Sequence, residues 1–440
     1  MISLLRFIKK LDTVRSLQLF QIFRFAGFFL TGILLAKGPL SITNIGVFES
    51  LMFFSGAVSF FWISGILNGL LSKFRRVNSE NQGKFIFNIS MFIIIMNILL
   101  VIVLFFAQNF ANLFLSSEAM KYYTLLLIFI LFNNPVFLIE YVLLIKEQNI
   151  SLIVYGFVNF VLQIIVVVVP ILLGYDLSIS IKGLVLLSIS KLFFLGFLLN
   201  KFTDKKTDLS IWKEHFHYSM PLILSLLLSG SADYIDGALV SSHFGSESFA
   251  IFRYGAKELP LSLLLANSLS LAFVPKLADK SQFEYGLTQL KKESLKLMHL
   301  LFPLSIILLL SSHWLYPYFF RAEFIKSSSI FNIYLILIIS RMVFPQTIIL
   351  ALQKTGIIFK IAIIEITVNV IASYLLMLKF GMLGVAWGTI IAFSAEKIFL
   401  MIVLYKKQNL PVTKYLAIKE WVLYSLLLIF CYFLVENFII

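Results

Sequence analysis

Charged residues and cysteine are scarce in this sequence, and each shortage excludes a class of protein. Only 13% of the residues are charged, whereas a soluble domain carries roughly a quarter. Hydrophobic residues make up 60%, so a water-soluble globule of this composition would lack a polar exterior, and lipid must be the missing solvent. The single cysteine, Cys431, excludes an intramolecular disulfide and argues against a cysteine metal site.

Motifs of nucleotide and metal chemistry are also lacking. The sequence holds no Walker-type phosphate loop, which argues against ATP hydrolysis by this chain. His215 and His217 are not accompanied by a cysteine, so a metal site there is disfavoured. We therefore expect no cofactor, no metal and no enzymatic activity.

Apolar runs of about 20 residues, long enough for a helix to cross the hydrocarbon core, recur along the chain. Apolar and polar residues do not alternate within them, so the runs predict helices and not barrel strands. The pattern predicts an all-α, polytopic membrane protein with 12–13 transmembrane helices. The expected spans are 18–36, 47–71, 85–107, 121–145, 151–173, 179–200, 217–240, 248–275, 296–316, 327–352, 357–378, 383–405 and 418–438.

The net charge of +14 does not indicate nucleic-acid binding, because the basic residues cluster in short loops between apolar runs. One set of alternate loops, with the N-terminal segment, holds most of them. The opposite set holds only Lys37, Lys121, Lys182, Arg321, Lys326 and Lys379. By the positive-inside rule this bias predicts a cytoplasmic N-terminus. We expect a multi-pass protein of the bacterial inner membrane.

The longest polar linker, 201–216, follows the sixth span and divides the chain. It predicts an N-terminal lobe at 1–200, a C-terminal lobe at 217–405, and a basic segment with a thirteenth helix at 406–440. Lys191-Leu192-Phe193 is echoed by Lys397-Ile398-Phe399, which is consistent with duplication of a six-helix lobe, a recurring plan in transporters. Chance similarity between apolar segments explains so short an echo equally well.

Ionisable residues inside the expected spans are the main pointers to function. A charge at mid-membrane depth costs roughly 2.5–3.5 kcal/mol on insertion scales, so such residues are expected to face protein or a wet cavity. Their abundance therefore implies an aqueous interior. The cations are Arg24, Lys191, Arg253, Lys257, Arg341 and Lys397, and the acids are Glu49, Glu140, Asp233, Asp236, Glu258, Glu365 and Glu396.

Most of these cations are candidates for binding an anionic substrate. Arg24, Lys191 and Arg341 have no acid within four positions, so each needs a partner elsewhere in the bundle or a ligand anion. Arg253 and Lys257 are four apart, one turn on the expected eighth helix. Two interpretations stay open for these last two: they neutralise acids nearby, or they present positive charge to the substrate.

The acids offer candidates for coupling transport to an H⁺ or Na⁺ gradient. Glu365 has no neighbouring cation in the sequence, so it is either a coupling site or the structural partner of a distant cation. Asp233 and Asp236 are three apart on one helix face and are further candidates.

Amide side chains and one proline interrupt the apolar spans. Asn133-Asn134-Pro135 predicts a kink in the fourth helix, because proline frees backbone carbonyls. Single amides such as Asn97 and Asn369 are expected to join helices by hydrogen bonds.

Several stretches resemble one branch of a transporter superfamily. Residues 221–225 and 231–237 lie in the expected seventh helix, where polar residues interrupt the apolar run. Residues 244–260 contain a short loop with a glycine, followed by aromatic residues and an arginine at the start of the expected eighth helix. Residues 380–389, Phe-Gly-Met-Leu-Gly-Val-Ala-Trp-Gly-Thr, lead into the twelfth helix, and 59–69 lie in the second. This pattern is similar to the polysaccharide (O-antigen and lipopolysaccharide-type) flippases of the MATE-like multidrug/oligosaccharidyl-lipid/polysaccharide (MOP) exporter superfamily.

The resemblance implies a two-lobe, V-shaped fold that opens alternately to each side of the membrane. Its members move an oligosaccharide linked to a lipid of the undecaprenyl-pyrophosphate type, with the pyrophosphate in a cationic cavity and the polyprenyl tail among membrane lipids. Glycan assembly machinery is then an expected partner, and nucleic acid is not. Guanidinium forks suit pyrophosphate oxygens, in agreement with the candidate residues Arg24, Arg253 and Arg341.

Other functions stay open. A multidrug antiporter of the same superfamily would favour acids in its cavity, and the intramembrane acids are compatible with that. A glycan polymerase or ligase would carry a long outer loop with catalytic residues, whereas 108–120 and 317–326 are short. A peptidoglycan-precursor flippase is related in function, but 14 helices would be expected for it.

Overall fold

The computed structural model describes residues 13–74, 77–257, 260–279 and 281–438. Within these ranges the chain forms α-helices and short 3₁₀ turns and no strand, so the all-α prediction is confirmed. The helices are α1 (Thr13–Lys37), α2 (Ile42–Ala57), α3 (Phe60–Phe74), α4 (Gln82–Phe106), α5 (Gln108–Ala111), α6 (Ser117–Met120), α7 (Tyr123–Asn133), α8 (Leu138–Ile145), α9 (Asn149–Leu172), α10 (Leu177–Phe202), α11 (Leu209–Gly255), α12 (Pro260–Ala278), α13 (Phe283–Phe319), α14 (Lys326–Leu335), α15 (Ile338–Arg341), α16 (Pro345–Ala351), α17 (Thr355–Gln408) and α18 (Ile418–Phe438).

Some expected spans are bent or interrupted. The second is the pair α2 and α3, which meet at an angle of 47°. The fourth is α7 and α8, separated by the 3₁₀ turn Pro135–Phe137. Proline has no N–H to donate to the preceding turn, so the helix cannot continue regularly through it. The predicted kink at Asn133-Asn134-Pro135 is therefore confirmed.

Glycine divides the two longest helices into arms. The 54 residues of α17 would extend about 80 Å at 1.5 Å per residue, more than twice the hydrocarbon thickness. Gly381 breaks this run with φ of 60°, and Gly245 breaks α11 with φ of 75°. Both angles lie in the left-handed region that glycine adopts without steric penalty. The expected spans 357–378 and 383–405 fall on the two arms of α17.

The prediction of one continuous eighth helix at 248–275 is wrong. Helix α11 ends at Gly255, and α12 begins at Pro260. A Cβ at Gly255 would lie 2.5 Å from the Ser327 carbonyl oxygen, so this end is pressed against the start of α14. Proline is favoured in the first helical turn and disfavoured inside a helix, which places the restart at Pro260.

Among the described residues, nine helices are long and apolar enough to cross a membrane, or ten if the bent pair α2–α3 counts as one span. The 53-residue stretch Gly356–Gln408 counts once in that number, although Gly381 divides it. Helix α11 is not among the nine, which agrees with its many polar residues. The protein is thus a multi-pass membrane protein.

The chain divides into two compact units. The first comprises the described residues up to 230 together with 245–247. In it α1 packs closely on α9: Phe20 stacks on Tyr155, with ring centroids 6.2 Å apart, and a Cβ at Gly156 would lie 2.5 Å from Phe20 Cδ2. The Phe20 ring can therefore occupy this position only because Gly156 has no side chain.

The second unit comprises 231–244 and 248 to the end of the described chain. Its last helix, α18, is an integral part of it. The ring of Tyr424 stacks on Phe302 at 5.2 Å, and Trp421 Nε1 donates to the Ile339 carbonyl at 2.9 Å. The expected thirteenth helix at 418–438 is therefore present and packed. The lobe boundaries read from the linker stay a prediction.

Candidate functional site

Arg24, in the middle of α1, has its partner on another helix. Its Nη2 donates to Glu140 Oε2 in a short ion pair, and Gln21 Nε2 donates to Glu140 Oε1 at 3.2 Å. The guanidinium also lies over the Phe20 ring, 4.8 Å from its centroid. The Arg24 side chain keeps 29% exposure, whereas Glu140 is buried. Sequence reasoning named both residues but could not join them, since 116 positions separate them.

The kink before Glu140 is a polar junction. Asn134 Nδ2 donates to Asn97 Oδ1 and to Ser59 Oγ, both at 2.8 Å. Asn97 Nδ2 donates in turn to the Leu131 carbonyl at 2.9 Å, so the predicted helix-joining role of Asn97 is confirmed. Lys191 Nζ donates to Asn133 Oδ1 at 3.2 Å. The partner found for Lys191 is therefore an amide of the same junction.

Two candidate cations of the second unit, Arg341 and Lys257, lie against aromatic rings. Arg341 ends α15 and lies over the Phe393 ring at 4.6 Å, and Lys257 Nζ lies 4.8 Å from the centroid of Tyr254. The sequence predicted that Lys257 lies one helical turn from Arg253. That prediction is wrong, because α11 ends at Gly255 and Lys257 lies beyond its end.

Four further charged residues were candidates, and the structure describes the side chains of two of them. Glu396 and Lys397 form a buried pair at 2.7 Å and neutralise each other. Glu258 lies outside the described residues. For Asp233 only the backbone is described, within α11.

Asp236, on α11, is the centre of a buried polar cluster and is 3% exposed. Tyr334 of α14 donates its hydroxyl to Oδ2 at 2.9 Å, and Thr389 Oγ1 makes a short contact with the same oxygen. Asn369 Nδ2 and Ser373 Oγ approach Oδ1 at 3.5 and 3.4 Å. Hydroxyl and amide groups from α14 and from both arms of α17 thus converge on one carboxylate.

Glycine spacing brings the two arms of α17 together at this cluster. A Cβ at Gly384 would lie 2.1 Å from the Leu376 carbonyl oxygen, and one at Gly388 would lie 2.2 Å from Ser373 Oγ. Since both positions lack a Cβ, the second arm packs on the first and carries Thr389 to 3.3 Å from Asn369. Both glycines belong to the stretch 380–389, one of those that resemble the flippase family. In this structure they allow the two arms of α17 to pack closely.

Sequence reasoning found Asp236 but treated Asn369 only as a helix-joining amide and missed Ser373, Thr389 and Tyr334. One signal was available: Glu365, Asn369 and Ser373 recur every four residues, which places polar groups on one face of an otherwise apolar helix. Glu365 lies on this face, one turn from Asn369, and is half-buried. The contribution of Thr389 depends on the break at Gly381 and has no sequence signal.

The linker at 201–216 is tied to the first unit outside the membrane-spanning segments. Lys84 Nζ donates to Asp208 Oδ2 at 2.6 Å, and Asn88 Oδ1 accepts from the Asp208 backbone N–H at 2.7 Å. Hydrogen bonds from Lys84 and from Ser210 lower the pKa of Asp208 to about 2. The carboxylate is therefore ionised throughout the physiological range.

Comparisons with known proteins agree with this architecture. The model of a family described as "Polysaccharide biosynthesis protein" matches residues 40–329. No sequence match to a curated protein was found. The fold is similar to that of a lipid II flippase, MurJ, in an inward closed conformation, with a TM-score of 0.72 and 21% identity over 95% of this chain and 92% of that one.

Two MATE transporters, the first described as a multidrug resistance transporter, are also similar in fold. An inward-facing MATE family transporter of the MOP superfamily gives a TM-score of 0.58 at 14% identity, covering 92% of this chain and 99% of that one. The eukaryotic MATE transporter AtDTX14 gives 0.53 at 11% identity, with 94% and 99% covered. The fold is thus similar to those of a lipid II flippase and of MATE transporters.

Proposed function

Since the chain belongs to the family of polysaccharide biosynthesis proteins, we propose that it is a flippase for a polyprenyl-pyrophosphate-linked oligosaccharide. The cargo would be an O-antigen, capsule or exopolysaccharide unit, moved across the bacterial inner membrane by alternating access. The family match over 40–329 carries this proposal. The similarity in fold to a lipid II flippase supports it.

Arg24 is the best supported contact for the pyrophosphate. A guanidinium has five N–H donors, and its contact with Glu140 engages Nη2 alone among the described residues. The pairing holds the fork in a defined orientation while part of the side chain stays exposed. A fixed planar fork binds two phosphate oxygens with less loss of side-chain entropy than a mobile one. Lys191, Arg253, Lys257 and Arg341 complete the proposed set of cations.

Coupling to an ion gradient is assigned to Asp236 in preference to Glu365 or Asp233. Carboxylate, hydroxyl and amide oxygens are ligands for hard cations, and Asp236, Asn369 and Thr389 supply all three kinds. Asn369 Oδ1 is buried and accepts no hydrogen bond within the described part of the chain. One carboxylate with neutral oxygens matches the charge of a monovalent ion. The transported ion would be Na⁺, bound by these three residues and Ser373, and released as the protein changes state.

Reconstitution tests the flippase function. The purified protein in proteoliposomes should translocate a fluorescent undecaprenyl-pyrophosphate oligosaccharide, measured by loss of the label's accessibility to a quencher outside. Arg24→Ala and Arg341→Ala should each reduce the rate at least tenfold, since a charge-assisted hydrogen bond contributes about 1.5–3 kcal/mol. Wild-type protein that leaves the lipid in place would contradict the proposal.

The similarity in fold to MATE transporters favours multidrug antiport as the second candidate. The same vesicles distinguish the two functions when they are loaded with a cationic dye. Dye efflux driven by an imposed gradient, without movement of the lipid-linked oligosaccharide, would establish the antiporter.

A further inference from the structure

A basic cavity lies in the second unit, where the start of α17 meets its end. It has a volume of about 360 Å³, within the range of small-molecule sites. Both arms of the helix contribute to its wall. The wall includes Lys354, Lys360 and Lys407 together with Gly356, Ile357 and Val403.

Positive charge is concentrated around this cavity. The stretches 350–364 and 398–417 contain no aspartate or glutamate, while Lys406 adds a further cation beside Lys407. Lys414 of the same stretch is bound by Glu284 at 2.8 Å and does not contribute to the cavity. Helix α17 also begins here, and the N-terminal end of a helix carries partial positive charge. These charges favour an occupant that carries an anionic group.

The apolar part of the wall continues along the helix surface. Ile357 and Val403 line the cavity itself. Beyond it, Phe359 and Ile363 on the first arm and Ile402 on the second are exposed large side chains in the membrane region. A small inorganic anion would use the lysines and leave this surface uncovered. A ligand with an anionic head and long hydrocarbon chains fits both parts.

We propose that this cavity binds the headgroup of an anionic phospholipid. The lipid would come from the leaflet on the lysine-rich side of the protein, which the positive-inside rule predicts to be cytoplasmic. Basic pockets between transmembrane helices on that side are suited to such headgroups. The acyl chains lie along Phe359 and Ile402. Because the site spans both arms of α17, the lipid stabilises their packing and hence the positions of Asn369 and Thr389. This lipid differs from the transported one, and the inference is independent of the flippase proposal.

Lipid binding to the purified, detergent-solubilised full chain tests the site. Phosphatidylglycerol should raise the Tm of the wild type, and phosphatidylcholine should not. Changing Lys354, Lys360 and Lys407 together to Gln should weaken the apparent affinity for phosphatidylglycerol by about tenfold or more. The matched control changes the exposed lysines Lys205, Lys206 and Lys213 to Gln and should retain wild-type affinity. Equal losses in both triple variants would indicate diffuse attraction and overturn the proposal.

A second variant fills the cavity without changing its charge. A Cβ at Gly356 would have no atom within 4 Å, so Gly356→Phe places a ring in the cavity without a clash at its first atom. It should abolish the effect of phosphatidylglycerol even if the triple lysine variant fails to fold. Gly196→Phe, at another open position, is the control. An unchanged response in Gly356→Phe, or a stabilisation by inorganic phosphate equal to that by phosphatidylglycerol, would contradict a lipid site.

Discussion

Arg24 and Asp236 are both charged residues within the membrane region, and the protein surrounds them in different ways. Arg24 in the first unit meets an opposite charge, the carboxylate of Glu140. Asp236 in the second unit is contacted by the hydroxyls of Tyr334 and Thr389 and the amide of Asn369. In an ion pair the guanidinium acts only as a donor and the ionised carboxylate only as an acceptor. A hydroxyl or amide can donate to a carboxylate or, after rotation, offer an oxygen to a cation.

The two kinds of surroundings suit two different functions, binding of an anionic ligand and exchange of a cation. The first region is suited to holding a guanidinium in a constant position for an anionic ligand. The second is suited to exchanging partners around one carboxylate, as binding and release of an ion require. Four substitutions sharpen or break this comparison.

The largest effect is expected from Asp236→Asn. It keeps the shape of the side chain and removes the charge, so ion binding should weaken roughly ten- to 100-fold, because hydrogen bonds to a charged group contribute about 1.5–3 kcal/mol. Flipping in proteoliposomes should then no longer depend on an imposed Na⁺ gradient. Glu365→Gln, one turn from the cluster, is the control and should keep that dependence. If Glu365→Gln alone abolished the dependence on either a Na⁺ or a pH gradient, coupling would belong to Glu365.

Arg24→Ala should have the next largest effect on transport, a flipping rate reduced at least tenfold, and it should also cost more stability than Asp236→Asn. It leaves Glu140 buried without its cation, which typically destabilises a protein by about 3–5 kcal/mol. The double variant Arg24→Ala/Glu140→Ala should recover most of the stability, measured as the midpoint of thermal unfolding in detergent. Flipping should stay low in the double variant if Arg24 contacts the substrate. Recovery of both stability and flipping would show that the pair is purely structural.

Gly388→Ala tests the steric basis of the second region. The new Cβ would lie 2.2 Å from Ser373 Oγ, so the arms of α17 must separate, at a cost of about 1–3 kcal/mol for overpacking. We expect a lower Tm and weaker Na⁺ binding together, because Thr389 moves with its arm. Gly196→Ala, where nothing lies within 4 Å, should leave both unchanged. A stable Gly388→Ala variant with normal Na⁺ binding would rule out close packing as the device that positions Thr389.

The smallest effect should come from the partly exposed pair Lys84–Asp208, which has no membrane environment to strengthen it. The pKa of Asp208 is lowered to about 2, so its contribution to stability is present above its ordinary pKa near 3.9 and is lost as the pH falls towards about 2. Asp208→Asn should shift Tm at pH 7 by less than roughly 2 °C. It should also remove part of the wild-type acid sensitivity between about pH 4 and 2, measured by thermal unfolding. A larger shift at pH 7 would mean that the linker contributes more than an exposed ion pair.

Much of the fold followed from local patterns in the chain. Apolar runs placed the helices, because a backbone in lipid must satisfy its hydrogen bonds internally and a helix does so within one segment. Asn133-Asn134-Pro135 predicted the break between α7 and α8 for the same local reason. Gly255 and Pro260, with the charged Lys257 and Glu258 between them, carried the signal that divides the eighth span. The apolar runs on both sides nevertheless favoured one continuous helix.

The polar groupings depended on the tertiary structure. The sequence placed Arg24, Glu140 and Asp236 as charged residues within expected spans, because hydropathy is a property of each segment. It could not pair Arg24 with Glu140 or bring Tyr334 and Thr389 to Asp236, 98 and 153 positions away. Which groups meet depends on how helices rotate and pack, and that is decided by small steric matters such as the missing Cβ atoms at Gly156 and Gly388.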